Sequence, residues 1–260
     1  MNCYKKSVTE LTLEQLVDII ASSGDKLKAS QPPVDQEVRN KSKAWGVVNF
    51  LSLAYDDYVA ARALFLNNML PQGCALAATS VEKYLKALIA IRGNSCHGHL
   101  SKRLFKNVEN YQPNLWEDLN SDYLEFLAKA YELRYLDNKE TGFGIVINKY
   151  RCLAELDRTI ALIDKGFELK VGTKPFKTRF QTESQAKSEA LCKENGLLLG
   201  IPKDVYFRKE NHVLEMWVGL DGKIWTLKYV TKYVQDIGSF MKQPQVSLTA
   251  TGLRGQVTGG

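Results

Sequence analysis

One stretch of the sequence, LAATSVEKYLKALIAIR at residues 76–92, constrains the fold more than any other. Its apolar side chains recur every three or four residues, which is the period of an α-helix and produces a broad apolar stripe. This stripe comprises Ala77, Val81, Tyr84, Leu85, Leu88 and Ile91. A helix with so much apolar surface needs other helices packed around it to be stable in water. The sequence therefore predicts that residues 76–92 form the central helix of a helical bundle.

Further segments with helical periodicity supply the partners that this central helix needs. The sequence predicts these helices at residues 47–69, 100–108, 122–134 and 145–167. Pro71 and Gly73 are expected to end the first of them, since proline and glycine interrupt helices. The short turn before the central helix makes these two helices antiparallel neighbours. We therefore expect a mainly α fold, with an antiparallel helical bundle at residues 41–172.

The chain on the N-terminal side of the bundle, residues 1–40, has a simpler pattern. Leu13, Leu16, Val17 and Ile20 share one face, so residues 12–28 are predicted to form a helix. The segment KASQPPVDQEVRNKSKAW that follows contains two prolines and many polar residues, which are typical of a linker. We expect the helix to pack on the bundle as a small appendage.

The pattern changes after Pro175, and residues 173–245 are predicted to form a small C-terminal α+β unit. A helix is expected at residues 182–195, with Thr182 and Gln185 as its capping box. The run VYFRKENHVLEMWVGLDGKIWTLKYV alternates apolar and polar residues, which predicts a β-meander. The Asp-Gly dipeptide within it is a strong hairpin signal. The chain is then expected to end with a helix and a disordered, Gly-rich tail, at residues 232–241 and 246–260.

Four aromatic residues belong to this C-terminal unit: Tyr206, Trp217, Trp225 and Tyr229. Aromatic side chains on a small sheet can stack on the bases of a nucleic acid. More often they form the core of a small domain that has few other apolar groups. We therefore expect these four side chains to be core residues.

Composition excludes several classes of protein. Hydrophobic residues make up 45% of the chain and charged residues 25%, as in ordinary globular proteins, and no apolar run is long enough to span a bilayer. The N-terminus lacks the apolar core of a secretory signal, so a cytoplasmic location is expected. The net charge of +6 is compatible with nucleic-acid binding without requiring it. The five cysteines have no metal-binding spacing, so we expect free thiols, with neither a metal site nor a cofactor.

Four motifs follow one another between residues 47 and 167. They are SLAYDDYVAARALF; ATSVEKYLKALIAIRG, centred on Glu82, Lys83, Leu85 and Lys86; His99-Leu100 with Leu104; and YELRY at residues 131–135. In their order and spacing they resemble the HEPN family of small α-helical domains. The second motif is similar to the A-x-x-x-x-E-K-x-L-K-A-L-L pattern of that family. The resemblance covers about half of the chain.

The resemblance implies a HEPN-like bundle of four or five up-and-down helices, often paired as a homodimer. Members of the family are RNases, toxins opposed by nucleotidyltransferase antitoxins, or non-catalytic modules that bind nucleotides or RNA. Many carry R-x(4–6)-H on the last core helix, where an arginine and a histidine from two protomers meet over an RNA phosphate. A histidine near neutral pKa can move the proton of a 2′-hydroxyl, and a guanidinium can hold the charge on phosphorus.

This sequence departs from the family at that motif. The positions after Arg134 that would hold the histidine are Lys139, Glu140 and Thr141. The spacing is met instead by Arg92 with His97 and by Arg92 with His99, in the loop after the central helix. If the protein cleaves RNA, we expect these three residues to be catalytic. The alternative is that His99 caps the next helix and that His97 is a solvated loop residue.

Three further cations are candidates for contacts with RNA or a nucleotide. Arg134 suits a bidentate phosphate contact; the alternative is a buried pair with Asp56 or Glu82. Lys83 and Lys86 lie on one side of the central helix and could form a basic groove with Arg92, although a solvated helix face has the same pattern.

Two functional hypotheses follow from the sequence. The first is a protein that binds or cleaves RNA or nucleotides, in a stress or defence setting. The second is a non-catalytic HEPN-like interaction module, whose C-terminal unit docks a partner protein.

Overall fold

The computed structural model describes residues 36–91, 94, 96–132, 134, 141–167, 169–171, 174–232 and 240–242. The predicted helix at residues 12–28 and the tail at residues 246–260 lie outside this part of the chain. The described helices are α1 (Gln36–Leu66), α2 (Leu70–Ile91), α3 (Lys102–Tyr111), α4 (Pro113–Asp118), α5 (Ser121–Glu132), α6 (Lys149–Lys165), α7 (Arg179–Gln185), α8 (Glu189–Cys192) and α9 (Lys203–Phe207). The strands are β1 (Phe143–Asn148), β2 (Leu169–Val171), β3 (Lys174–Phe176), β4 (Asn211–Val218), β5 (Ile224–Thr231) and β6 (Met241–Lys242).

Helix α2 is the centre of the bundle, as its apolar stripe predicts. It packs against α1, α3, α5 and α6. Its apolar face is buried along its whole length, from Leu70 to Ile89. Even a hydroxyl on this helix is satisfied inside the bundle, because Ser80 Oγ donates to the carbonyl of Ala54 on α1 at 2.7 Å. The mainly α fold predicted from the sequence is confirmed.

The junction between α1 and α2 differs from the prediction. Helix α1 begins at Gln36, inside the predicted linker, and ends at Leu66, and Asn68 in the turn adopts a positive φ of 61°. Pro71 and Gly73 do not end α1; they lie in the first turn of α2. Proline is tolerated there because the first N–H groups of a helix have no partner within the helix. Gly73 lets α1 approach closely.

The last long helix begins later than its periodicity predicts. Residues 143–148 form strand β1, and α6 starts at Lys149, where the side chain of Asn148 accepts a hydrogen bond from the N–H of Arg151 at 3.1 Å. The predicted helix start at residue 145 is therefore wrong. The run Ile145-Val146-Ile147 is β-branched and suits a strand, and it is paired on both sides by β4 and β6.

A four-stranded antiparallel sheet, in the order β5-β4-β1-β6, joins the two halves of the sequence. The β4–β5 hairpin confirms the predicted turn at Asp221-Gly222, whereas residues 205–207 of the predicted meander belong to α9. Gly222 in the turn has a φ of 75°, which glycine adopts readily. Strand β1 precedes the predicted domain boundary at residue 172, and β4 follows it. The boundary therefore falls between elements that share one sheet and one hydrophobic core.

The expectation that the four aromatic residues are core residues holds only for the two that lie outside β5. Tyr206 is buried, and Trp217 is half-buried over Gly144. Trp225 and Tyr229 on β5 are instead exposed, so the expectation is wrong for these two. The reason is that β5 lies at the edge of the sheet, next to β4 alone among the described strands.

The capping box that begins the C-terminal helical segment lies one turn before its predicted position. Thr178 Oγ1 accepts from the N–H of Gln181 at 3.1 Å, and Gln181 Oε1 accepts from the N–H of Thr178 at 3.3 Å. The helix that follows, α7, is short, and α8 is a separate turn of helix. The predicted helix at residues 232–241 is wrong at Met241, which belongs to β6; residues 233–239 lie outside the described chain.

A buried polar network fastens the C-terminal segment to the bundle. Arg62 on α1 forms an ion pair with Asp157 on α6 and donates to the carbonyl of Lys193, which follows α8. Tyr58 donates to Asp157 at 2.8 Å, and the amide of Asn195 donates to the Tyr58 hydroxyl at 3.4 Å. These contacts join three parts of the chain that are far apart in sequence.

Candidate phosphate-binding site

The loop that follows the central helix is held against α2 by a carboxylate and a lysine. Glu82 Oε1 accepts from Lys86 Nζ at 2.7 Å, one helical turn away. The other oxygen, Oε2, lies 3.4 Å from His99 Nδ1, and Lys86 Nζ also donates to the carbonyl of Gly98 at 2.6 Å. Glu82 and Lys86, which belong to the second motif, therefore position His99, the histidine of the third motif.

The YELRY motif meets the same histidine at the end of α5. The rings of His99 and Tyr131 lie 4.8 Å apart, measured between centroids. The guanidinium carbon of Arg134 lies 3.5 Å from the centroid of the same tyrosine ring, and its Nε donates to the Tyr131 carbonyl at 3.3 Å. The ring thus holds the guanidinium by a cation–π contact. We call Glu82, Lys86, His99, Tyr131 and Arg134 the His99–Arg134 cluster.

The cluster has an inner and an outer part. The side chains of Glu82 and Lys86 are only 12% and 14% exposed, whereas that of His99 is 65% exposed and Arg134 also reaches the surface. Its charges are one carboxylate, two permanent cations and one imidazole that can be protonated. The outer surface is therefore positive, and it presents two planar groups that donate hydrogen bonds to anions.

The other candidate residues are distributed differently. Lys83 pairs with Asp57 on α1 at 2.6 Å, so a carboxylate already balances its charge. His97 is exposed in the loop, two residues before His99. Arg92 lies outside the described residues, so its predicted role stays a prediction.

The structural roles that the sequence offered as alternatives for His99 and Arg134 are both wrong. The cap of α3 is Ser101 rather than His99, because Ser101 Oγ accepts from the N–H of Leu104 at 3.4 Å. Arg134 is not buried against Asp56, which pairs with Arg179 at 2.6 Å. Neither His99 nor Arg134 therefore performs the structural task that the sequence suggested for it.

The match to known families places this cluster in context. The family model described as the HEPN domain matches residues 47–159, from α1 to the middle of α6. The chain carries a HEPN domain. All five residues of the His99–Arg134 cluster lie inside it, as do all four motifs in full. Strands β4–β6 and helices α7–α9 lie beyond the matched residues. A HEPN domain implies a general role that is related to nucleotides or RNA, or is RNase-like.

The other comparisons gave no relatives. No curated protein matches the chain, and no solved structure matches it. The function is therefore inferred from the HEPN domain and from the geometry of the site.

The described residues contain no group of three or more His, Cys, Asp or Glu that could hold a metal ion. Over the same residues no helix has the length and apolar character needed to cross a membrane. Four cysteines in the described chain are free thiols: Cys74, Cys96, Cys152 and Cys192.

A groove of about 610 Å³ opens beside Arg134. Its walls come from α1, α2, α5, β1 and β4, and most of its lining is apolar, including Leu76, Ile145 and Met216. The groove offers one amide, that of Gln72, and one charge, that of Arg134. An apolar recess next to a cation is suited to a ligand with a flat apolar part and an acidic part.

Two members of the cluster were not among the candidate site residues from the sequence. Glu82 and Tyr131 both lie within the four sequence motifs, but their role depends on contacts across the bundle. The order of the motifs indicated a shared fold, whereas the meeting of Glu82, His99 and Tyr131 required the packing of α2 against α5.

Proposed function

We propose that the His99–Arg134 cluster binds the phosphate of an RNA strand or of a nucleotide. The observation that carries this proposal is the convergence of three separate motifs, which brings an exposed guanidinium and an exposed imidazole onto one tyrosine ring. The guanidinium matches phosphate in a bidentate way, and the imidazole donates to a phosphate oxygen through Nε2 when it is protonated. Lys86 is the second permanent cation of the cluster and lies behind the loop, beside Glu82.

The groove beside Arg134 supports a nucleotide rather than a simple anion. With a phosphate on Arg134, the base would lie against the apolar lining of the groove, near the Gln72 amide. Bases of single-stranded RNA are commonly recognised in this way, by apolar or aromatic contact together with a few polar groups. We therefore favour single-stranded RNA and nucleotides over duplexes.

RNA cleavage without a metal is the catalytic form of the proposal. Because Glu82 faces His99 Nδ1, that nitrogen keeps the proton and Nε2 becomes the acceptor. Nε2 can then take the proton of a 2′-hydroxyl that attacks the adjacent phosphorus, while Arg134 stabilises the charge on the phosphorane oxygens. The 5′-oxygen leaves with a proton, for which His97 is our candidate donor, and Arg92 would assist at the phosphate.

The resemblance gives the cellular setting that we propose. Stress or defence is the setting expected of such a protein, with a nucleotidyltransferase as the class of protein partner and a homodimer as the assembly. The absence of a histidine at residues 139–141 keeps a non-catalytic binding module as the second candidate.

Binding is tested by fluorescence polarisation with a labelled single-stranded RNA. Replacing one charged phosphate contact costs about 1.5–3 kcal/mol, so Arg134→Ala should weaken binding about tenfold or more. It should also lower the salt dependence by about one phosphate contact. Arg158→Ala is the matched control, because Arg158 is an exposed arginine on α6. Equal affinity for the wild type and Arg134→Ala would remove the cluster as the binding site.

Cleavage is tested separately with the same RNA in the presence of a chelator. We expect His99→Ala to abolish cleavage while leaving RNA binding within a few-fold of the wild type, since Arg134 and Lys86 remain. His97→Ala should slow cleavage if His97 protonates the leaving group. If the wild type binds RNA but never cleaves it, the catalytic form fails and the binding form stands.

A further inference from the structure

Strand β5 presents an unusual amount of apolar surface. Trp225, Leu227 and Val230 are 61%, 56% and 51% exposed, and Leu220 at the tip of the hairpin is 75% exposed. The strand lies at the edge of the sheet, and among the described residues no strand pairs with its outer side. The backbone groups that β5 directs away from β4 therefore lie next to large apolar side chains.

Edges of this kind are normally protected. Natural sheets protect an edge with proline, with several charges, with a bulge or with a covering element. The sequence of β5, IWTLKYVT, has no proline and only one charged residue, Lys228. Its register with β4 continues without a break from Ile224 to Thr231, so no bulge interrupts it. A long apolar edge without a bulge indicates a surface that another strand covers.

We propose that β5 pairs antiparallel with β5 of a second copy of this chain, with Leu227 facing its counterpart on the two-fold axis. A two-fold axis perpendicular to the sheet requires the pairing to be centred on one residue. Only pairings centred on Leu227 or on Lys228 include nearly all residues of the strand. The second centre places two lysines opposite each other, which is unfavourable. The first places Trp225 opposite Tyr229 of the second copy, and Lys228 opposite Thr226.

The chemistry of this face favours a protein over a nucleic acid. Glu215 on β4 shares the face of Trp225 and Tyr229, and it accepts a hydrogen bond from the Tyr229 hydroxyl at 2.8 Å. A carboxylate at the centre of the aromatic face repels phosphates. The one cation of β5, Lys228, lies on the opposite face because side chains alternate along a strand.

A second copy is also a better occupant than the end of the same chain. Residues 243–260 follow β6, which pairs with β1 at the other edge of the sheet. A covering by that segment would explain an apolar strand, but it would not explain why β5 matches itself about Leu227. The proposed contact lies outside residues 47–159 and does not depend on RNA binding, so the two proposals can fail separately.

Cysteine cross-linking tests the register directly. In the proposed pairing Leu227→Cys places two thiols opposite each other, at a separation that a disulfide can span, so mild oxidation should give a covalent dimer. Lys228→Cys is the matched control and should not cross-link with itself. A mixture of Thr226→Cys and Lys228→Cys chains should cross-link to each other. The oxidised wild type controls for the native cysteines, and peptide mapping identifies the bond.

Sedimentation of the full chain provides the second readout. Leu227→Glu should raise the dissociation constant of the assembly by at least tenfold and halve its mass at about 10 µM, whereas Arg134→Ala should not change the mass. The proposal is overturned if Lys228→Cys cross-links with itself and Leu227→Cys does not. It is also overturned if Leu227→Glu leaves the mass unchanged. The same holds if the wild type is a monomer and Leu227→Cys forms a covalent dimer only after residues 243–260 are removed.

Discussion

Arg62 shows how single buried polar residues fix the arrangement of the bundle. It is among the largest fully buried side chains in the described chain, and it connects α1 to Asp157 on α6 and to the carbonyl of Lys193. A charge so deeply buried is tolerated only when it is paired and hydrogen-bonded. The pair therefore specifies which helix faces meet, whatever its net contribution to stability.

Removing one member of this pair should be severe, because it leaves the other charge buried and uncompensated. We expect Arg62→Met to lower the free energy of unfolding by about 3–5 kcal/mol. Adding Asp157→Asn to that variant should restore part of the loss. Urea denaturation of the wild type, of each single variant and of the double variant measures both effects. If the double variant is as unstable as the sum of the single ones, the two residues do not act as a pair.

Asp164 gives the fold a pH dependence that can be assigned to one residue. Burial raises its pKa to about 6, although hydrogen bonds from Thr178 and Gln181 oppose that rise. In the unfolded chain the carboxyl ionises near its ordinary value of 3.8. The contribution of Asp164 to stability is therefore complete below pH 3.8, and it is lost as the pH rises through about 6.

The size of this effect follows from the difference between the two pKa values. At about 1.4 kcal/mol per unit, Asp164 should lower the free energy of unfolding by about 3 kcal/mol between pH 3.8 and 7. In Asp164→Asn this part of the pH dependence should disappear. The exposed Asp118→Asn is the control and should keep the wild-type slope. Denaturation at several pH values measures how the free energy of unfolding depends on pH. A pH dependence that is unchanged in Asp164→Asn contradicts the assignment.

At the level of helices, the contact between α1 and α2 depends on the absence of a side chain at Gly73. A Cβ there would lie 2.7 Å from Cδ1 of the Phe65 ring, which is closer than such atoms approach. We expect Gly73→Ala to lower the free energy of unfolding by about 1–3 kcal/mol, despite the higher helix propensity of alanine. Combined with Phe65→Leu, the same substitution should cost less. Thermal unfolding of the four chains gives the coupling, and equal costs in both backgrounds would contradict the proposed clash.

The helices could be predicted from the sequence to the extent that their periodicity is local. The central helix, α3 and α5 follow from spacing alone, because each has an apolar stripe that faces one core. Strand β1 could not be separated from α6, since Ile145 and Ile147 fit a helical stripe as well as a strand. Its strand partner, β4, begins only at residue 211. Pairing with a distant part of the chain, rather than local propensity, therefore determines that residues 143–148 form a strand.

The candidate site was predictable in its residues but not in its geometry. Lys86, His99 and Arg134 stand in motifs that the sequence displays, and the structure brings them together through Glu82 and Tyr131. Lys83 has the same sequence signal as Lys86 but turns to Asp57, which no local pattern reveals. The exposure of β5 was missed for a related reason. Alternation indicates a strand, but it does not show whether the strand lies at the edge of its sheet.

At the scale of the molecule, the HEPN domain and the C-terminal segment form one structure with two surfaces. The buried core includes residues from both, such as Leu85, Phe126, Leu191 and Phe240. One surface, the His99–Arg134 cluster, is positive and belongs to the HEPN domain. The other, strand β5, is apolar and lies outside the matched residues. We infer that the chain separates ligand binding from assembly.

Photo-cross-linking to RNA tests the central claim most directly, because it reports where the RNA lies. An RNA that carries 4-thiouridine is irradiated with the protein, and the modified tryptic peptides are identified by mass. We expect modification in residues 93–102 and 130–134, which contain His99, Tyr131 and Arg134. We also expect that signal to be lost in Arg134→Ala. Modification confined to residues 224–228, which contain Trp225, would contradict the account.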